Sequence, residues 1–160
     1  MSGEFPEIPD PESWPESWIG QQIRNITMHV EAGKIIEFAA AVHDLNPVYR
    51  CFPANEMMPA PLTFSVVAGL QNPGTGSPAT VAVATLGLDP SRVLNGGQDW
   101  EYVAPVYAGD ILHGVTTVAA VTRRTNKQGK AMVLVTLETE WMRDREPVIK
   151  EAVTIIEVAA

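Results

Sequence analysis

The chain has 160 residues, 46% of them hydrophobic, and a formal net charge of −8. This length and composition fit one folded domain and exclude a wholly disordered chain. The excess of acidic residues disfavours nucleic acid and anionic membrane surfaces as partners, and the single cysteine, Cys51, excludes an internal disulfide or a multi-cysteine metal site.

The sequence indicates neither a leader nor a membrane anchor. The first residues are acidic and lack the apolar core of a signal peptide, and no apolar run approaches the ~20 residues that cross a bilayer. We therefore expect the protein to reside in the cytoplasm.

Residues 1–20 are predicted to form a Pro-rich acidic arm before a folded domain at 21–160. The arm has four prolines and five acidic residues but no lysine or arginine, which favours an extended chain over a helix. Trp14 and Trp18 interrupt this polar character. Because exposed indoles are unfavourable, we expect them to pack either on the domain itself or on a partner subunit.

The domain is predicted to begin with a strand and a helix. Polar and apolar residues alternate over 21–30, which indicates a strand. The period then becomes helical, which predicts a helix over 32–43. Its buried face is expected to comprise Ile35, Phe38, Ala39 and Val42. Asn46-Pro47 ends the helical stretch, because the residue before a proline avoids the helical region.

The rest of the chain is predicted to be irregular at first and then β. Prolines punctuate residues 50–95, where one short helix is expected over 62–70. Strands are predicted over 98–103, 111–124, 131–142 and 148–158. This order indicates an α+β protein with a single hot-dog fold, in which an antiparallel five-stranded sheet wraps on a central helix. Such sheets commonly pair in dimers, because pairing buries an open edge strand.

Four segments, in chain order, carry a family resemblance. They are FAAAVHDLNPVY at 38–49, PAPLTF at 59–64, the GGQDWEY and PVYAGD blocks within 96–110, and the closing hairpin over 138–148. Together they resemble the MaoC-like (R)-specific enoyl-thioester hydratases and 3-hydroxyacyl-thioester dehydratases, in particular the N-terminal-type branch, which is often non-catalytic. The resemblance covers about residues 20–158.

The resemblance implies an acyl thioester substrate, carried on CoA or on acyl-carrier protein, with no further cofactor and no metal. In the family, an aspartate and a histidine five residues later hold one water, and one of the two acts as its base. Here Asp44 occupies the first catalytic position and Tyr49 stands in the second. A phenol with an ordinary pKa of about 10 is a poor base near neutral pH.

The resemblance also implies a set of substrate-binding positions. These are Asn46, Ala60, Pro61, Thr63 and Gly109. The catalytic branch has a His-Gly pair at the start of its second helix, where the glycine N–H stabilises the enolate-like oxygen. This chain has Pro61-Leu62 there, and a proline has no N–H to donate.

Simpler interpretations of the polar residues remain open. Asp44 lies near a helix end and could make turn hydrogen bonds only. His43 is expected to face solvent rather than to replace the missing base, because neighbours on a helix point about 100° apart. His113 is expected to have a structural role, and Asp110 to fix a tight bend.

Three functions are therefore open. In the one we favour, the chain is a subunit of a heteromeric (R)-hydroxyacyl-thioester dehydratase or enoyl-thioester hydratase and shapes the acyl-binding tunnel. A second MaoC-like chain with an intact Asp/His motif then supplies the dyad. Alternatively, the chain is a self-sufficient homodimeric enoyl-CoA hydratase that uses Asp44, or a non-catalytic acyl-thioester binding protein.

Overall fold

The computed structural model describes residues 16–50, 56–72 and 76–159. The strands are β1 (Gln22–His29), β2 (Val93–Tyr102), β3 (Ile111–Thr125), β4 (Ala131–Arg143) and β5 (Glu146–Val158). The α-helices are α1 (Ala32–Ala41), α2 (Ala68–Gln71) and α3 (Pro78–Leu86), and 3₁₀ helices occupy Glu16–Trp18, Pro47–Tyr49 and Phe64–Val67. The last of these continues directly into α2, and we call the two together the 64–71 segment.

The strands form one antiparallel sheet in the order β1-β3-β4-β5-β2, with helices on one face. The predicted α+β class and single hot-dog fold are confirmed. On β4, alternate residues from Val133 to Trp141 are buried on the inner face, as the period-two pattern indicates.

Two elements differ from their predicted bounds for identifiable reasons. The strand predicted over 98–103 begins at Val93, and a bulge at Gly96 interrupts its pairing with β5. The earlier start was missed because Gly96 and Gly97 are not typical strand residues. A Cβ on Gly96 would lie 2.9 Å from the Ile156 side chain, so a larger residue at the bulge would displace that side chain. The stretch predicted to be irregular contains α3, which the Ser77 cap, Pro78 and the left-handed Gly87 (φ 68°) indicate in retrospect.

The helix predicted over 32–43 is shorter and less buried than expected. It ends at Ala41, and its buried side chains are Ile35 and Ala39, with Phe38 half-buried. Val42, which was assigned to the buried face, is 53% exposed. That assignment was wrong because Val42 is the C-terminal cap, where the chain already turns away from the sheet.

The core has two apolar clusters. One lies under α1 and the 64–71 segment and includes Ile35, Phe64 and Trp141. The other lies under α3 and includes Leu86 and Leu137. The cover of the sheet is therefore shared by three helical pieces, each of which buries a short stretch.

A row of polar side chains lies between the two clusters. Arg24, Thr116, Thr139 and Glu151 stand on β1, β3, β4 and β5, aligned by the strand register and all buried on the inner face. We call this set the buried polar row. On β4 the row is flanked by Trp141 of one cluster and Leu137 of the other.

Most of the row is held by direct hydrogen bonds. The Thr116 and Thr139 hydroxyls lie 2.8 Å apart, and Glu151 accepts from Trp141 Nε1 at 2.9 Å and from Gln98 Nε2 at 2.5 Å. Arg24 donates from Nη2 to the Gly76 carbonyl at 2.8 Å. Burial lowers the pKa of the Arg24 guanidinium, while the charge of Glu151 opposes that shift.

The described end of the acidic arm lies against the domain. Trp18 packs on the cluster under α3, and the N–H of Gly20 donates to the Val118 carbonyl at 2.8 Å. This agrees with the expectation that Trp18 docks on its own domain. Trp14, most of the arm and Cys51 lie outside the described residues.

Candidate active site

The candidate site begins where α1 ends. The N–H groups of His43 and Asp44 donate to the carbonyls of Ala40 at 3.2 Å and Ala39 at 2.8 Å, which is a Schellman arrangement. His43 takes the left-handed conformation (φ 58°) that this arrangement requires beyond the cap. Its side chain is exposed, as expected, and the turn places Asp44 at the exit of the helix.

Asp44 and Asn46 organise the turn that follows. Asp44 Oδ1 accepts from the Asn46 N–H at 2.9 Å, and Asn46 Oδ1 accepts from the Val48 N–H at 3.1 Å. Asn46 thereby caps the 3₁₀ helix Pro47–Tyr49. Asp44 therefore does make the turn hydrogen bond that the simpler interpretation required, and it remains only partly buried.

Tyr49 completes this turn. It is half-buried and packs against the core cluster under α1. Burial raises the pKa of its phenol, and the neighbouring Asp44 carboxylate raises it further. The phenol is therefore protonated near neutral pH, where it can donate a hydrogen bond but cannot act as a base. The fold places the two predicted dyad positions within electrostatic reach of each other.

Ala60 lies on a short antiparallel ladder that packs on the same core cluster as Tyr49. Its N–H donates to the Val106 carbonyl at 2.8 Å, and the Ala108 N–H donates to the Met58 carbonyl at 2.8 Å. Ala60 and Ala108 both pack against the cluster that Tyr49 contacts. The predicted binding segment around Ala60 therefore packs on the same core cluster as Tyr49 of the candidate dyad.

Two of the predicted substrate-binding positions, Pro61 and Gly109, have no free backbone N–H. Pro61 is buried and lacks an N–H, and its carbonyl accepts from the Phe64 N–H at 2.9 Å. Gly109, with φ 97°, donates its N–H to the Val30 carbonyl at 2.7 Å. Neither residue can donate a backbone hydrogen bond to a substrate oxygen.

Thr63 is exposed immediately before the 64–71 segment. That segment is tied to β2 by Trp100, whose Nε1 donates to Ser65 Oγ at 2.8 Å. A groove of 260 Å³ runs between the segment and α1. Its lining residues are Lys34, Glu37, Phe38, Ala41, Val67, Leu70 and Gln71. Predominantly apolar side chains thus face a groove that ends near the helix exit.

A second bond fixes the start of the same segment. The Tyr102 hydroxyl donates to the Leu62 carbonyl. Burial, with a smaller contribution from the Glu151 carboxylate, raises the pKa of Tyr102 to about 12. Trp100, Tyr102 and Glu151 were not singled out from the sequence. They could have been found from the alternation of β2 and β5, which places all three side chains on the inner face of the sheet among core residues.

The remaining polar residues have structural roles. Asp110 Oδ2 accepts from the Tyr107 N–H at 2.9 Å and pairs with Arg143 at 2.8 Å, which fixes the bend as expected. His113 Nδ1 lies 3.1 Å from Thr27 Oγ1 on the exposed face of the sheet. Within residues 16–50, 56–72 and 76–159, no three His, Cys, Asp or Glu side chains are grouped as metal ligands. In the same residues, no helix has the length and hydropathy needed to cross a bilayer.

Comparison with known families agrees with this geometry. The sequence model of the FAS1-like dehydratase domain region matches residues 17–151. The chain belongs to this family. A curated relative, the UPF0336 protein of Thermobifida fusca (strain YX), is 34% identical over 113 residues, which is 67% of this chain and 68% of that protein.

Solved structures show the same fold for this FAS1-like dehydratase chain. The MaoC-like dehydratase from Rhodospirillum rubrum superposes with a TM-score of 0.59 at 20% identity, over 89% of this chain and 93% of that chain. The C-terminally truncated HadBC (3R-hydroxyacyl-ACP dehydratase) complex from Mycobacterium tuberculosis gives 0.61 at 21% identity, over 86% and 96%. The predicted MaoC-like hot-dog family is confirmed.

Proposed function

We propose that this chain is the acyl-binding subunit of a heteromeric (R)-hydroxyacyl-thioester dehydratase or enoyl-thioester hydratase. A second MaoC-like chain with an intact Asp/His motif supplies the catalytic dyad. The dehydratase family is established by the sequence, whereas the division of labour between two chains is our inference. It is supported by the structural likeness to a subunit of the HadBC complex.

The observation that carries the proposal is the state of Tyr49. Hydration of an enoyl thioester needs a base that takes a proton from water. Tyr49 is the only candidate that the family motif offers beside Asp44, and both burial and the Asp44 charge hold its phenol protonated. A site with one carboxylate and a phenol that is protonated near neutral pH lacks half of the dyad.

The second deficiency is electrostatic. Stabilising the enolate-like oxygen requires backbone or side-chain donors aimed at it. Pro61 has no N–H, and the N–H of Gly109 already bonds to Val30. We therefore assign proton transfer and oxyanion stabilisation to the partner. The groove beside Phe38 and Val67 remains for this chain to offer to the acyl group.

The first test is an enoyl-CoA hydration assay on three preparations. These are this chain alone, the candidate partner with an intact Asp-x-Asn-Pro-x-His motif alone, and the two together. We expect activity of the mixture to exceed that of this chain alone by at least ~10²-fold, the usual contribution of a general base. In the mixture, Asp44→Asn should be mild.

The outcome of this assay, together with variants of Asp44 and Tyr49, distinguishes the three functions. Strong activity of the isolated chain that Asp44→Asn abolishes would establish the self-sufficient enzyme instead. Binding of an acyl thioester without activity in any mixture would favour the non-catalytic binding protein. Tyr49→His should raise the background activity of the isolated chain only if the pocket is otherwise competent, and Tyr49→Phe is its matched control.

The second test addresses the groove. Ala41→Trp places an indole in the groove, whereas Ala40→Trp adds the same bulk at an exposed position that is not among the lining residues. In the active mixture, Ala41→Trp should lower turnover of long-chain substrates at least ~10-fold more than that of a four-carbon substrate, because each buried methylene contributes to binding. Equal effects of the two variants would remove the groove from the acyl site.

A further inference from the structure

Positive charge is concentrated at the turn between β3 and β4. Arg123, Arg124, Lys127 and Lys130 are all exposed there, and they are four of the eleven lysines and arginines in the sequence. No acidic residue occurs over positions 111–137. We call these four side chains the basic tip. A cluster of like charges without neighbours of the opposite sign attracts an anionic partner.

The turn itself is ordered by uncharged groups. Asn126 Oδ1 accepts from the backbone N–H groups of Gln128 and Lys130, at 2.9 Å in each case. Among the described residues, no ion pair involves Arg124, Lys127 or Lys130. The cations are therefore not needed to hold the turn, and three of them can bind a carboxylate without giving up an existing ion pair.

The surroundings of the basic tip restrict the kind of partner. Small-molecule sites are concave, whereas the tip is an exposed hairpin turn, and the groove beside α1 contains none of its residues. The total charge of −8 leaves −12 on the rest of the chain once the four cations are set aside. A large anionic surface is therefore repelled by the rest of the protein, and a short acidic segment fits better.

The chain itself contains such a segment. Residues 1–15 have no lysine or arginine, and they contain four carboxylates, those of Glu4, Glu7, Asp10 and Glu12. Their number equals the number of cations in the basic tip. Opposite charges within a Debye length, about 8 Å at physiological salt, attract each other.

The acidic segment joins the domain beside the strand that leads to the basic tip. β1 is antiparallel to β3, with Gln22 opposite Thr117, and the Gly20 N–H bonds to the Val118 carbonyl. Trp18 packs on the cluster under α3, as does Val121 further along β3. From Val118 to Arg124 the strand covers about 20 Å. Fifteen residues can span up to ~50 Å, so the segment reaches the tip with length to spare.

We propose that residues 1–15 dock on the basic tip of their own chain, with their carboxylates against its cations. The proposal goes beyond the proposed function and does not rest on it. Because the segment is tethered next to the tip, its effective concentration there is of the order of millimolar. An acidic protein in solution must compete with it, so the segment acts as a built-in cover of the one strongly basic surface.

A carbodiimide, which joins a carboxylate to a nearby lysine amine, tests the docking on the full native chain. At low ionic strength, carboxylates of residues 1–15 should link to Lys127 and Lys130 at least ~10-fold more than to the exposed Lys34 and Lys150. Mixing isotope-labelled with unlabelled chains separates links within one chain from links between two copies. No links to the tip, links between copies only, or equal linkage to all four lysines would overturn the proposal.

Amide chemical shifts of the turn give a second measurement. Removing the four carboxylates of the segment should shift the NMR signals of Gln128 and Gly129, and added salt should shift them in the same direction in the native chain. This variant is Glu4→Gln/Glu7→Gln/Asp10→Asn/Glu12→Gln. The control removes four carboxylates on strands away from the turn and should leave both signals in place; it is Asp99→Asn/Glu101→Gln/Glu140→Gln/Glu146→Gln. Unchanged signals in the first variant would assign the tip to a partner outside this chain and overturn the proposal.

Discussion

The two edges of the sheet are finished in opposite ways. At β1, the Gln71 side chain donates to the His29 carbonyl at 2.7 Å and accepts from the His29 N–H at 3.0 Å, and Asn72 donates to the Thr27 carbonyl at 2.9 Å. At β2, the described backbone bonds run to β5 and, at the bulge, to Asn95 of the same strand. One edge is closed by amide side chains of its own chain, and the other has no such bonds from another element in the described residues.

Two glycines, one in β3 beside β1 and one in β2, differ in the room that a side chain would have. A Cβ on Gly114, in β3 beside β1, would lie 2.8 Å from the Trp141 ring, whereas a Cβ on Gly97 would touch nothing. Gly114→Ala should therefore cost about 2–3 kcal/mol of unfolding free energy through overpacking. Gly97→Ala should stay within about 0.5 kcal/mol. Urea unfolding of the two variants checks the difference, and equal costs would contradict it.

Removing the amides should convert the closed edge into an open one. The double variant Gln71→Ala/Asn72→Ala loses three side-chain bonds to β1, each worth about 0.5–1.5 kcal/mol net, so about 2 kcal/mol should be lost in urea unfolding. It should also self-associate more readily in light scattering, because the freed edge can pair. Gln128→Ala, on the exposed β3–β4 turn, is the control and should do neither.

At the open edge, the Trp100–Ser65 bond ties the 64–71 segment to β2. Trp100→Phe should cost about 1 kcal/mol, because it removes one side-chain bond and little area. A double-mutant cycle with Ser65→Ala measures the coupling between the two side chains. If the two single effects simply add, the bond does not fasten the segment to β2.

The last effect appears only at alkaline pH. The folded pKa of Tyr102 is about 12, above the value of about 10 in an unfolded chain, so the folded state binds the extra proton. Its contribution to stability is complete below about pH 10 and is lost as the pH rises to about 12. The alkaline slope of unfolding free energy should be shallower in Tyr102→Phe, and an unchanged slope would assign it to other groups.

Local patterns in the sequence were enough for the sheet and for the candidate dyad, but not for what closes the edges. Alternation located four of the five strands well, and the motif placed Asp44 and Tyr49 five residues apart on one turn. The bonds of Gln71 and Asn72 to β1 join residues more than 40 positions apart. No local period records such contacts, because they depend on how the 64–71 segment lies across the sheet.

The buried polar row was also only partly predictable from local sequence patterns. Arg24 alternates with Ile26 and Met28, so its inward phase was visible in the sequence. Its alignment with Thr116, Thr139 and Glu151 depends on the register of four strands and was not. The early start of β2 was likewise hidden by Gly96 and Gly97, which pairing with β5 accommodates as a bulge.

The buried polar row also specifies the register in which the strands of the sheet pair. A slip of one residue in β4 turns its side chains to the other face, so Thr139 would leave the core and Glu138 or Glu140 would enter it beside Glu151. A slip of two residues keeps the apolar alternation but sets Leu137 or Trp141 opposite Thr116, whose hydroxyl then loses its mate. Valines and leucines alone would leave such slipped sheets close in energy, whereas the row singles out one alignment.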